Sequence, residues 1–85
     1  MSVRLDGDVV RLEGECRVEE AEELVVLLQA APGRVVDLDD CQGMHAAVAQ
    51  VLLGFRAATK GRPADPYLSR FVADNFARMG DGAKT

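Results

Sequence analysis

The chain has 85 residues, 48% of them hydrophobic and 5% aromatic, and its net charge is −4 at pH 7. That length fits one domain with a modest core, the apolar share excludes a disordered chain, and the acidic balance works against nucleic-acid binding, which needs a basic surface. No apolar run approaches the roughly 20 residues of a membrane span, and the opening "MSVRLDGD" lacks the basic-then-apolar layout of a signal peptide, so a cytoplasmic protein with no membrane span is expected.

In "VRLDGDVVRLEGE", Val3 and Leu5 alternate with Arg4 and Asp6, and Asp6-Gly7 precedes Val9, Val10 and Leu12. Asp-Gly between two such runs marks a tight hairpin. Strands are expected near 2–6 and 9–15.

"RVEEAEELVVLLQAAPG" reads as a helix. Glu19, Glu20, Glu22 and Glu23 crowd its first turns, where carboxylates suit the positive end of the helix dipole. Val18, Ala21, Leu24, Val25 and Leu28 form a core-facing stripe at helical spacing, and Pro32-Gly33 ends it. Val26, Leu27 and Ala30 fall outside that stripe, under a neighbouring element or facing a partner.

"RVVDLDD", with Val35, Val36 and Leu38, is a buried strand. "GMHAAVAQVLLGFRAATKG" is expected to form a helix near 44–59 with Val48, Val51, Leu52 and Phe55 inward, Arg56 and Lys60 near its C-terminal end, and Gly61 as its stop. In the last helix Asp65 is the N-cap and Pro66 the first helical residue. Leu68, Phe71, Val72, Phe76 and Met79 are its stripe, and Gly80 closes it. The expected order is β-β-α-β-α-α over a single domain at 1–80, with a flexible tail at 81–85. The strand–helix–strand crossover makes strands two and three parallel. Helices cover one face of a small mixed sheet, and Arg4, Asp6, Arg11 and Glu13 are the polar residues of the other.

The chain has one histidine and two cysteines, Cys16 and Cys41. The cysteines are read as small hydrophobes at strand ends, with a disulfide or a metal pair as the second reading. Without a CxxC, one His and two Cys make a poor ligand set, and neither metal nor cofactor is expected.

"VVRLEGECRVEEAEELVVLLQAAPGRVVDLDDCQGMHAAVAQVLL" resembles, over about half of the chain, the STAS domain of anti-sigma factor antagonists and of the cytoplasmic regions of sulfate transporters. "VVDLDDC" stands where the family has a "vvlDls.v" strand, and "MHAAVAQVL" where it has "iDSsGl..L". On that motif Met44 takes the apolar position, His45 the Asp position, and Ala46 the Ser that the family's kinases phosphorylate. The hydroxyl side chains are Ser2, Thr59, Tyr67, Ser69 and Thr85, none near this junction in sequence. The resemblance therefore implies the scaffold without its phosphorylation switch. The family also has a further strand before its last helix, and "KGRPADP" is too short and proline-rich to be a central one. The sheet is expected to lack one strand, leaving an unpaired edge.

What the resemblance implies is a non-enzymatic regulatory module that binds a protein through the loop 40–45 and the exposed side of the following helix. The contact residues would be Asp40, Gln42, Met44, His45, Ala46, Ala49 and Gln50. The partner would be an anti-sigma factor-like kinase or a subunit of a regulatory or transport complex. Two other readings stand beside it. One is a homo-oligomeric structural subunit, such as a homodimer in which a neighbour replaces the missing strand. The other is a redox or enzymatic site using Cys41 and His45.

Overall fold

The computed structural model describes residues 3–31 and 33–75. The order is β1 (Val3–Asp6), β2 (Val9–Leu12), β3 (Gly14–Cys16), α1 (Val18–Ala30), β4 (Val35–Asp37), β5 (Cys41–Met44), α2 (Ala46–Phe55), β6 (Ala58–Lys60) and α3 (Pro66–Asn75). The α/β class is as the sequence indicates, but the order differs from β-β-α-β-α-α by three strands.

The main sheet runs β1-β2-β4-β6. Its first pair is the antiparallel hairpin, with Leu5 opposite Val10 and Gly7 turning at φ 62°. The pairs β2–β4 and β4–β6 are parallel, so Arg11, Asp37 and Lys60 lie in one row. The segment read as one strand over 9–15 is broken: Gly14, at φ 70°, turns the chain out of the main sheet. Beyond it, β3 pairs in parallel with β5 as a separate two-stranded sheet.

The missing strand is present, which corrects the expectation of a bare edge. The segment read as the end of a helix over 44–59 is instead a cap followed by β6. Arg56 adopts the left-handed conformation (φ 51°) and its N–H reaches the Leu52 and Leu53 carbonyls, closing α2 directly after Phe55. Ala58–Lys60 then pairs with Val35–Asp37, making β4 an interior strand. Gly61, at φ 84°, ends this strand rather than a helix. The start of the same segment is also corrected, since residues 41–44 form β5 and α2 begins at Ala46.

Val3, Val10, Leu12 and Val36 on one face of the main sheet join Leu24 and Leu28 of α1, Val48 and Leu52 of α2 and Val72 of α3 in one core. Each such Leu or Val removed from water contributes about 1.5–3 kcal/mol. The stripe assigned to α1 needs two corrections. Val18 is 50% exposed, and Leu27 packs against the core from outside the stripe. Val26 is 60% exposed, away from the core as expected.

The opposite sheet face is ionic. Arg4 pairs with Glu13 at 2.8 Å, and Arg11 with Asp6 at 3.2 Å and with Asp37 at 2.8 Å. At the head of α3, the Tyr67 N–H donates to Asp65 Oδ1 at 2.9 Å, the cap read from the sequence. Phe76, Met79, Gly80, the tail 81–85 and Pro32 lie outside the described residues.

Candidate functional site

Because β3 and β5 are parallel, the two strand-to-helix junctions that follow them emerge at the same end of the molecule. Cys16–Arg17 leads into α1 and Met44–His45 leads into α2. Backbone bonds tie the junctions together, with the His45 N–H donating to the Cys16 carbonyl at 2.8 Å and the Gly14 N–H to the Asp40 carbonyl at 2.8 Å. The Glu15 side chain lies over Gly43, where a Cβ would come within 2.6 Å of Glu15 Oε1.

Between the junctions runs an open groove of about 450 Å³. Cys16, Met44 and Val18 give it an apolar lining, and Glu15, Glu19, Arg17 and His45 supply polar groups of both signs. At the head of α1, Glu20 accepts the Arg17 N–H. At the head of α2, His45 Nδ1 accepts the Ala47 N–H at 2.9 Å, and the His45 carbonyl accepts from Val48 and Ala49. His45 is thus the side-chain N-cap of α2, a role ordinarily filled by Ser, Thr, Asp or Asn.

The contact set read from the sequence is split. Met44 and His45 line the groove. Ala46 and Gln50 are exposed on α2, and Gln42 is exposed on β5. Ala49 is half-buried. Asp40, exposed in the turn before β5, bears electrostatically on Arg4 at the ionic sheet face. The expected loop 40–45 is corrected to a turn, a paired strand and a cap, which makes this surface backbone-fixed. Sequence reasoning missed Glu15, Arg17, Val18 and Glu19. The signal that would find them is the likeness of the junctions "GECRVEEA" and "QGMHAAVA", each a short strand, a capping residue and a helix start.

Cys16 and Cys41 are both free and buried, at the end of β3 and the start of β5. The influence of Cys41, followed by burial, pushes the Cys16 thiol up, while Cys16 draws the Cys41 thiol down. Cys41 Sγ also lies 3.4 Å from the Gly43 carbonyl. His45 Nδ1 is engaged with Ala47 instead. Among the described residues, no three His, Cys, Asp or Glu side chains gather as a metal site, and no helix is long and apolar enough to cross a membrane.

Arg56 caps α2, Lys60 lies in β6, and Arg62 borders a second hollow of about 520 Å³ with Arg70 and Ser69. Comparison with protein-family models, with curated proteins and with solved structures returned no match.

Proposed function

We propose that this protein is a STAS-like regulatory module that works by binding another protein, in the manner of an anti-sigma factor antagonist without its phosphorylatable serine. The groove between the starts of α1 and α2, with the exposed side of α2, is the docking surface. The observation that carries the reading is the exposed alanine at the first position of α2, beside a capping histidine on a backbone-tied junction. Ala46 lets a partner approach closely but has no hydroxyl to carry phosphate. The partner meets apolar Val18 and Met44 flanked by mixed charge, a small apolar centre with a polar rim. The partner class is an anti-sigma factor-like kinase or a subunit of a regulatory or transport complex, the action is cytoplasmic, and no chemistry is performed.

β6 fills the place beside β4 that a neighbouring copy would have taken, and the edges of the main sheet are β1 and β6. Affinity capture with the native chain and with Ala46→Arg tests the docking reading. A protein retained by the native chain should bind the variant at least about tenfold more weakly, about 1.4 kcal/mol. Identical retention by both would sink this reading, as would phosphate appearing on residues 40–50 after incubation with such a kinase and ATP.

A further inference from the structure

We propose that β1 is a dimerisation edge: a second copy of this chain lays its own β1 antiparallel alongside, centred on Leu5, and the two main sheets become one. The contact uses no residue of the groove and holds whether or not the groove binds a partner.

β1 ends the main sheet, with β2 on its inner side and no strand on its outer side among the described residues. One backbone bond fixes which groups face out. The Val35 N–H donates to the Asp8 carbonyl at 3.2 Å, so the Asp8 carbonyl points to β4. Backbone groups alternate from side to side along a strand. Val10 therefore also bonds towards β4, and Val9 and Arg11 bond towards β1. Their cross-strand partners there are Asp6 and Arg4. Leu5 lies between those two, so its N–H and C=O are aimed outward, where an added strand would bond them.

A copy that sets Leu5 against Leu5 about a two-fold axis exchanges both of those bonds. The same register sets Arg4 opposite Asp6 of the second copy, and Asp6 opposite Arg4 of the second copy. Arg4 already holds Glu13 at 2.8 Å, and Asp6 holds Arg11 at 3.2 Å. A guanidinium keeps further donors and a carboxylate a second oxygen. Glu13, Arg4, Asp6 and Arg11 then form a row of alternating sign across the junction, and opposite charges facing each other across a strand pair attract. Slid by two residues one way, Arg4 would face Arg4; slid the other way, Asp6 would face Asp6. The charges thus select the centred register. On the other face Leu5, 41% exposed, gains its own copy as an apolar neighbour. A contact this short gives a dimer that forms and dissociates with concentration.

Sedimentation of the native chain over a range of concentrations should move the mass from 9.1 kDa towards twice that value. Leu5→Pro removes the outward N–H and no hydrogen bond within the sheet. It should weaken association at least about tenfold, with the far-UV circular dichroism of the native fold retained. Arg4→Asp and Asp6→Arg chains should each associate more weakly than the native chain, because like charges then face each other. Their equimolar mixture should regain association through opposite pairs, a recovery that a structural role of either residue within one chain would not produce. If Leu5→Pro does not fold, the native chain and the charge mixture decide; if a charge variant does not fold, the native chain and Leu5→Pro decide. The proposal is overturned if the native chain keeps its single-chain mass at the highest soluble concentration, if a dimer persists unchanged in Leu5→Pro, or if the mixture associates no better than its components.

Discussion

Arg11 and Asp37 join the two interior strands of the main sheet on its open face, the guanidinium Nη1 standing 2.8 Å from the carboxylate Oδ2. Asp37 is only 6% exposed, and its second oxygen accepts the Asp39 N–H at 2.9 Å. One carboxylate therefore fixes both the β2–β4 pair and the turn leading to β5. Asp37→Ala leaves two donors without their acceptor and should cost about 2–4 kcal/mol. Asp37→Asn keeps a carbonyl oxygen for Asp39 and should cost less. Urea unfolding with an unchanged slope measures both, and equal losses would remove the turn from the account.

The cap on α2 is testable apart from any partner. His45→Ala should lower stability by about 1 kcal/mol. His45→Asp should recover that loss, since a carboxylate accepts the same N–H and also suits the helix N-terminus. An Asp variant no more stable than the Ala variant would mean that the Nδ1 bond contributes nothing.

Gly61 and Gly7 both have positive φ and differ in their surroundings. A Cβ on Gly61 would lie 2.6 Å from the Asp39 nitrogen and 2.7 Å from Asp37 Oδ1, whereas one on Gly7 meets nothing within 4 Å. Gly7→Ala should cost about 1 kcal/mol, the conformational part alone. Gly61→Ala should cost about 3 kcal/mol, because strain is joined by a backbone clash. Thermal midpoints of the two variants should rank in that order.

The Arg4–Glu13 pair sets an acid-side dependence. The hydrogen bond from Arg4 holds the Glu13 carboxyl below its ordinary value. A depressed folded-state value gives stability that is present above the unfolded-state value and lost as pH falls through the folded one. Glu13→Gln should therefore be less stable than the native chain at neutral pH. The gap should close on acidification, and added salt should narrow it at neutral pH. A gap that widens in acid would contradict the sign.

The hairpin, the α1 helix, the head of α3 and the ionic sheet face were legible because each rests on a local signal: Asp-Gly, helical spacing with acidic first turns, Asp-Pro, and alternation. β6 was not, because "RAATKG" continues an apolar helix without a break and the actual stop is an arginine in a left-handed conformation. Glycine usually marks such a stop. β5 was hidden for a different reason. "CQGM" has no alternation, and only its pairing with β3 makes it a strand. The groove was half legible. Met44 and His45 stood out in one junction, while Glu15, Arg17, Val18 and Glu19 became its other wall through a parallel pairing that no short window displays.

The bond from the His45 N–H to the Cys16 carbonyl is made by main chain alone. Substitutions along the rim can therefore accumulate without moving the two helix starts relative to each other. The gap between those starts is thus set by the backbone, and any chain that keeps the β3–β5 pairing keeps it, whatever side chains decorate the surface.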